Sequence, residues 1–301
     1  MFGPYCEQKT WSIGGVEIGG LPGERPTVLI SSIFFAGHRI VSDPVNGLFD
    51  KAKAKALLDR EAEVSSDTGI PRFIDVIGDT PRALISYIEF VASNSSSPIL
   101  VDSPMQSTRL AVIRHFAGSE VMPRLIYNAI AEDHTEEELN CLRNCGMKSS
   151  VILAFSTKAI RPEAKIRLLT GDLLPAAERA GIKNILIDTG VTDIPSVGWT
   201  SLAINEVKKR LGYPAGCAPA NAIYKWSNMK AKGTQAFQSA SAALMSMPRM
   251  MGADFLFYGS IQNAPWVYPA LATIDGLLAY NGRFTSISVK SKEHPLYKVF
   301  S

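Results

Sequence analysis

Residues 72–102 read RFIDVIGDTPRALISYIEFVASNSSSPILVD, and this stretch decides the fold. Two short apolar runs, at 72–78 and 98–102, flank a segment at 80–94 whose Thr80-Pro81 start is typical of a helix N-terminus. Continuous apolar runs bounded by turn residues indicate strands that are buried on both faces, as in a parallel sheet. The stretch therefore predicts a strand–helix–strand unit.

The same unit recurs along the whole chain. Further apolar runs lie at 27–35, 124–130, 150–155, 184–189, 215–222 and 254–260. Helical segments between the runs are predicted at 50–67, 133–146, 172–180, 199–211, 233–247 and 266–280. Eight such units in about 250 residues is the size of a (β/α)8 barrel. We therefore predict an α/β protein, a TIM barrel in which residues 1–301 form one domain.

The glycine-rich N-terminal segment argues against the main alternative, a doubly wound nucleotide-binding fold. That fold needs a glycine-rich phosphate loop directly after its first strand. Here the glycines of WSIGGVEIGG (11–20) precede the first predicted strand. We expect residues 1–26 to form an N-terminal β-hairpin extension that closes the bottom of the barrel.

Composition excludes several classes of protein. The 301 residues include 31 Lys and Arg against 28 Asp and Glu, a balance that gives no basic footprint for nucleic acid. No apolar run approaches the ~20 residues of a membrane span, and no signal peptide is apparent. The four cysteines are too scattered for a disulfide framework, and the four histidines share no metal-ligand spacing. We expect a cytoplasmic protein that binds no metal itself.

Polar residues stand near the ends of most predicted strands, where barrel enzymes place their chemistry. They are Asp75, Asp102, Asn128, Asp188, Asn221 and Ser260. Carboxylates in a closed apolar sheet are costly unless they have a partner. A planar heterocycle with several N–H donors, such as a pterin, fits two or three carboxylates and two amides. The alternative for each residue is structural, since strand-end Asp, Asn and Ser also cap helices and order turns.

Two segments break the regular alternation. The connection at 36–49 is long, and on a barrel it would sit over the mouth. Four methionines crowd into residues 245–251, where they could fill the core, form an oligomer contact or line an adaptable binding surface.

Longer motifs resemble one family, the H subunit of tetrahydromethanopterin S-methyltransferase and its relatives, which include tetrahydrofolate methyltransferases that act with corrinoid proteins. The resemblance runs from about Gly20 to past Asn221. Its motifs are PGERPTVLISSIFFAGHRIV, GLFDKAKAKALLDREAEVSSDTGIP, ILVDSP, LIYNAI, VILAFS, LIDTGVTDIP and GCAPANA.

The resemblance implies a pterin-binding barrel that moves a methyl group between N5 of tetrahydrofolate and the cobalt of a cobalamin on a separate corrinoid protein. It implies that Asp102, Asn128 and Asp188 hold the pterin. From the strand-end pattern we expect Asp75 and Ser260 as further substrate-binding residues. Asn221 matches an asparagine near the reactive N5 and is the expected catalytic residue. The long connection, with His38 and Arg39, is a candidate contact for the corrinoid protein, and the alternative is that it packs against a helix of the barrel. A homodimer is expected from the habit of related barrels.

One departure from the family pattern concerns the choice of pterin. The family tends to show GCGPHNA, whereas this chain has GCAPANA, so a histidine is missing beside Asn221. The departure favours tetrahydrofolate. The alternatives are the same transfer with tetrahydromethanopterin, a pterin-binding subunit without catalytic activity, and an enzyme of the dihydropteroate synthase type, which needs Arg or Lys at the strand ends for a diphosphate.

Overall fold

The computed structural model describes residues 6–285 and 287–299. Eight parallel strands close into a barrel, and the order around it is β3-β6-β7-β8-β9-β10-β11-β12. The strands in chain order are β1 (Thr10–Ile13), β2 (Val16–Gly19), β3 (Val28–Ile33), β4 (Val41–Asp43), β5 (Leu48–Phe49), β6 (Arg72–Ile77), β7 (Ile99–Asp102), β8 (Leu125–Ile130), β9 (Ser149–Leu153), β10 (Asn184–Asp188), β11 (Ala215–Cys217) and β12 (Phe255–Ser260). The predicted TIM barrel is confirmed.

Helices follow the barrel strands and form the outer layer. They are α1 (Lys51–Thr68), α2 (Pro81–Asn94), α3 (Gln106–Phe116), α4 (Glu136–Asn144), α5 (Pro162–Leu168), α6 (Leu174–Arg179), α7 (Ser196–Arg210), α8 (Ala220–Ile223), α9 (Ser227–Lys230), α10 (Thr234–Met250), α11 (Ala264–Gly282) and α12 (Pro295–Lys298). A π-helical turn at Leu169–Leu173 joins α5 to α6. None of the helices within the described ranges combines the length and apolar character that crossing a membrane requires.

Two predicted segments needed correction. The seventh predicted strand, 215–222, is a strand only over Ala215–Cys217, and the rest turns into α8. Pro219 lacks the N–H that a ladder needs, so the chain leaves the sheet there. The helix predicted at 172–180 begins ten residues earlier, at Pro162, and continues through the π-helical turn. Helix α3 was not predicted, because Met105 at its N-terminus supplies no capping side chain to mark where the helix begins.

An antiparallel hairpin closes the amino-terminal end of the barrel. Gly14 and Gly15 form its turn with positive φ values of 52° and 82°, as a tight two-residue hairpin turn requires. Ile13 and Ile18 are fully buried among the inward-facing residues of the barrel strands. Trp11 also donates its Nε1 hydrogen to the carbonyl of Ile185 over 2.9 Å. The hairpin fills the bottom of the barrel as predicted, and residues 1–5 of the predicted extension lie outside the described residues.

Side chains alternate between the two faces along most of the length of the barrel strands, and the register shifts near the ends of β8 and β12. In β8, Ile126 belongs to the core inside the barrel, and Tyr127 belongs to the core between strands and helices. Since successive side chains point to opposite faces of a strand, Asn128 points inward again. The same period places Asp75, after Phe73, on the inner face of β6. This alternation brings polar side chains from different strands to one layer at the carboxyl ends.

A buried ionic network joins helices to the sheet. Glu61 of α1 accepts hydrogen bonds from the hydroxyls of Tyr258 at 2.6 Å and Tyr268 at 3.2 Å. The guanidinium of Arg72 lies 3.3 Å from the same carboxylate. Burial raises the pKa of Glu61, and these three partners oppose that rise. The network is structural, because it links α1, β6, β12 and α11 behind the barrel wall.

The long connection after β3 is an ordered hairpin of β4 and β5 at the edge of the mouth. The ring of Phe49 packs edge-on against Phe34 at 4.7 Å, and Thr80 donates its hydroxyl to the carbonyl of Val45 over 2.7 Å. His38 is buried, with Nδ1 accepting the backbone N–H of Phe34 at 3.0 Å. For His38 the structure favours the packing alternative, because its ring holds the turn together. Arg39, by contrast, is exposed.

Candidate active site

A cavity of about 660 Å³ opens at the carboxyl ends of the barrel strands. Every residue that the sequence analysis proposed for the site lines it: Asp75, Asp102, Asn128, Asp188, Asn221 and Ser260. They come from β6, β7, β8, β10, α8 and β12. The structure therefore brings the complete set together in one place.

Asp75 lies at the centre of a hydrogen-bonded group on the cavity wall. Its Oδ2 accepts the hydroxyl of Ser32 at 3.1 Å, and its Oδ1 accepts the side-chain amide of Asn128 at 3.4 Å. Burial raises the pKa of Asp75 well above the ordinary value, and the nearby charge of Asp102 raises it further. A carboxyl in this position favours its neutral form. The side chain of Asp75 lines the cavity and does not cap α2, because the N-cap residue of that helix is Thr80.

Asp102 is the second carboxyl of this wall. It pairs in register with Ile77 on one side and Asn128 on the other. Burial raises the pKa of its carboxyl to about 6, and the guanidinium of Arg109 opposes that rise. Asp102 is therefore the better ionised member of the pair at neutral pH, since two close carboxyls resist carrying two charges.

Asp188 supplies a third carboxyl from the other side of the barrel. The backbone N–H of Gly190 donates to its Oδ1 over 2.7 Å and fixes the carboxyl at the end of β10. Burial raises its pKa to about 6, and both this hydrogen bond and the charge of Lys165 act against the rise. Asp188 is thus an oriented hydrogen-bond acceptor in a partly apolar cavity.

Asn221 and Ser260 complete the lining at the seventh and eighth strands. Asn221 lies in the first turn of α8 and not on a strand, and its side chain is exposed to the cavity. The hydroxyl of Ser260 donates to the side chain of Gln262 over 3.4 Å. At the neighbouring Gly259, with φ of 86°, an added Cβ would lie 2.5 Å from the ring of Tyr224. Glycine there lets Tyr224 form part of the cavity wall beside Asn221.

Sequence reasoning missed two polar residues of the lining that come from helix α3. Arg109 of α3 lines the cavity, donating from Nε to the hydroxyl of Tyr127 at 3.1 Å and from Nη1 to the carbonyl of Ser103 at 2.5 Å. Gln106 lines it too and donates to Glu138 over 2.8 Å. The signal that could have identified both residues is their position just after the ILVDSP motif. The sequence analysis did not predict the helix that carries them.

The chemistry of the cavity is that of hydrogen-bond acceptors and amides. Among the described residues, Arg109 is the only basic one that lines it, and it is engaged by the protein. The described part of the chain also holds no group of three His, Cys, Asp or Glu placed to bind a metal ion. Such a cavity suits a compact polar ligand that presents several N–H groups, and the fold and the cavity together define a ligand-binding barrel.

Comparison with known proteins agrees with this class. The model of the tetrahydromethanopterin S-methyltransferase MtrH subunit family matches residues 6–290, and the chain belongs to this family of methyltransferase subunits. The corresponding tetrahydromethanopterin S-methyltransferase subunit of Methanopyrus kandleri is 32% identical, and the match covers 97% of each chain. That of Methanocaldococcus jannaschii is 36% identical, over 91% of this chain and 92% of the relative. A putative mtx methyltransferase subunit from Methanosarcina barkeri is 31% identical, over 98% of this chain and 99% of its own.

Solved structures share the fold. Dihydropteroate synthase from Yersinia pestis superposes with a TM-score of 0.62 at 14% identity, covering 89% of this chain and 98% of its own. The Xanthomonas albilineans dihydropteroate synthase in complex with 7,8-dihydropteroate gives a TM-score of 0.60 at 19% identity, over 90% and 98%. At these identities the likeness concerns the barrel architecture alone.

Proposed function

We propose that this protein moves a methyl group between N5 of a reduced pterin and the cobalt of a corrinoid carried by a separate protein. The observation that carries the proposal is the layer of carboxyl and amide side chains around one cavity at the barrel mouth, in a chain of the MtrH family. When the methyl group moves towards the pterin, the lone pair of N5 forms the new bond to the methyl carbon. The electron pair of the broken cobalt–carbon bond stays on cobalt, and N5 loses its proton.

The carboxylates of Asp102 and Asp188 are the proposed acceptors for the amino and ring N–H groups of the pterin. Charge-assisted hydrogen bonds to such groups are short and strong. Asn128 adds an amide whose orientation is fixed by its bond to Asp75. Asp75 then serves the site mainly by holding Asn128, and Ser260 contributes a hydroxyl at the opposite side of the cavity.

Asn221 is the proposed catalytic residue. Its amide can donate to neutral N5 or accept from protonated N5, so it can follow the change in charge during the transfer. No covalent intermediate on a side chain is needed, since positioning and electrostatic matching suffice for a direct methyl transfer.

The proposed pterin is tetrahydromethanopterin, because the names of the relatives from Methanopyrus kandleri and Methanocaldococcus jannaschii contain it. Tetrahydrofolate, which the sequence favoured, is the second candidate, and one observation supports it. Ala220 lines the cavity next to Asn221, at the position where the family pattern has a histidine. The departure therefore falls on the wall of the binding site, where it can change which pterin fits.

The corrin ring is too wide to enter an eight-stranded barrel, so the cobalamin is proposed to meet the methyl group at the mouth while its own protein holds it. The exposed Arg39 stands on the connection beside the mouth and is a candidate contact for that protein. A homodimer and a single domain over residues 1–301 complete the proposal.

A methyl-transfer assay tests the function. The protein is incubated with free methylcobalamin and either tetrahydromethanopterin or tetrahydrofolate, and the loss of the methylcobalamin absorbance is followed. We expect slow turnover that falls about 10²-fold or more in Asn221→Ala, the usual cost of removing such a group. Asn140→Ala is the matched control, because Asn140 is exposed on α4, outside the cavity lining.

The outcomes separate the alternatives. Pterin binding without turnover in the wild type would contradict the proposal and favour a binding subunit without catalytic activity. Full activity in Asn221→Ala would remove that residue from the mechanism.

A further inference from the structure

A second cavity of about 380 Å³ adjoins the first one at the barrel mouth. It lies between the segment that follows β9 and the segment that joins β10 to α7, and Phe155, Lys165, Gly190 and Trp199 are among the residues that line it. The first cavity ends at Leu153 and Asp188, on the same two strands. The two cavities are therefore neighbours along the carboxyl ends of β9 and β10.

The turn after β10 is the thin wall between them. Gly190, with φ of 69°, faces the second cavity while its N–H binds Asp188 in the first. An added Cβ at Gly190 would lie 2.9 Å from Cβ of Phe155, so no other residue fits without displacing that ring. A ligand group held by Asp188 thus lies close to the second cavity, since the residue that bonds Asp188 also lines that cavity.

Lys165 is a cation at the inner side of this second cavity. Only 3% of the residue is exposed, an unusual degree of burial for a lysine. Its ammonium donates to the carbonyl of Ala154 over 2.9 Å and lies 5.7 Å from the centre of the Phe155 ring. An ammonium has three donors, so one bond to Ala154 leaves capacity for an acceptor on a ligand. Burial lowers its pKa to about 8, and the charge of Asp188 opposes that change.

The outer side is aromatic and open. Trp199, in the first turn of α7, is 48% exposed even though it is one of the largest apolar side chains. An indole face at the rim of a cavity that has a buried cation at its inner side suits an aryl ring that carries an oxygen acceptor.

We propose that this second cavity binds the aromatic arm that is attached to the pterin ring of the substrate. The arm's aryl ring packs on Trp199, and Lys165 donates a hydrogen bond to an oxygen on the arm. The inference rests on the proposed function, because it needs a pterin in the first cavity.

Comparison of two ligands tests it by calorimetric titration of the full chain. One is whichever of tetrahydrofolate and tetrahydromethanopterin binds the wild type more tightly; the other is 6-methyltetrahydropterin, which has the ring and no arm. We expect Trp199→Ala and Lys165→Met to weaken the armed pterin about fivefold to tenfold, the size of one lost aromatic or polar contact. In Trp199→Ala the affinity for 6-methyltetrahydropterin should stay within about twofold, since its ring makes no contact with Trp199. Lys165→Met should weaken 6-methyltetrahydropterin less than the armed pterin, because the charge of Lys165 also favours the ionised form of Asp188. Leu202→Ala is the control, since Leu202 is 43% exposed on α7 and outside the second-cavity lining.

The outcomes distinguish the two proposals. If Trp199→Ala, an exposed position that tolerates truncation, binds both ligands as the wild type does, the arm lies elsewhere and this inference is overturned. Equal weakening of both ligands would also overturn it. If the wild type binds none of the three pterins, the proposed function itself fails.

Discussion

Asn128 donates its side-chain amide to Oδ1 of Asp75 over 3.4 Å, although 53 positions separate them in the chain. The bond spans the strand between them, and that strand carries Asp102. A neutral carboxyl, an amide and a carboxylate thus stand side by side on three neighbouring strands. The first two predictions concern the ionisation of the carboxyl groups in this cavity.

Asp102→Asn should weaken pterin binding and stabilise the fold at pH 7. The pKa of Asp102 is raised from 3.8 to about 6 in the folded protein, so the cost in folding free energy grows as the pH rises through this interval and is fully present above it. A neutral amide of the same size removes a cost of between about 1 and 3 kcal/mol at pH 7. The gain should vanish near pH 4, where the carboxyl is protonated in the folded protein. Urea unfolding at the two pH values measures it, and destabilisation at pH 7 would contradict this account.

Pterin affinity should rise with pH between 5 and 7. The carboxyls of Asp102 and Asp188 both have a pKa of about 6, and only their ionised forms accept two N–H bonds from the ligand. Titration calorimetry across this range should show tighter binding at the higher pH, with release of protons on binding below pH 6. Asp188→Asn should flatten the profile, whereas the exposed Glu137→Gln should keep it. Binding that tightens as the pH falls would rule out carboxylate acceptors.

Ala220→His should shift the choice of pterin. It restores the family's histidine at the cavity wall beside Asn221. The ratio of kcat/KM for tetrahydromethanopterin to that for tetrahydrofolate should rise at least about tenfold, the lower range of what one changed pocket contact achieves. Each pterin is the control for the other, because a general loss of folding lowers both values. An unchanged ratio would show that the missing histidine does not determine which pterin the protein uses.

Glu61→Ala should destabilise the protein without entering the chemistry. It leaves Arg72 and the hydroxyls of Tyr258 and Tyr268 without their shared partner behind the barrel wall. Breaking a buried pair in this way costs about 3–5 kcal/mol. Denaturant unfolding measures the loss, while the kcat of the folded fraction should stay near the wild-type value. Glu63→Ala on the same helix is the control, because its pair with Arg60 is exposed and worth little.

The residues that follow directly from the strand pattern were predictable. A run such as PILVD predicts a buried strand, and the carboxyl ends of parallel barrel strands meet at one mouth, so Asp102, Asn128 and Asp188 could be placed at the same end of the barrel. Asn221 was placed in the right cavity on the wrong element, because the sequence around Pro219 shows no clear boundary between strand and turn.

Residues that reach the site from helices were not predictable in the same way. Lys165 lies in a segment, RPEAKIRLL, where a lysine is typical of a solvated helix face. Its burial depends on how α5 packs against the end of β9, which no local pattern records. The same holds for Arg109, whose bonds to Tyr127 and Ser103 exist only once α3 is in place.

A crystal structure of the protein with a bound tetrahydropterin tests the central claim most directly. The account predicts the ring in the 660 Å³ cavity, with its N–H edge on the carboxylates of Asp102 and Asp188 and N5 beside Asn221. A ring bound outside this cavity, or bound in it without contact to either carboxylate, would contradict the account.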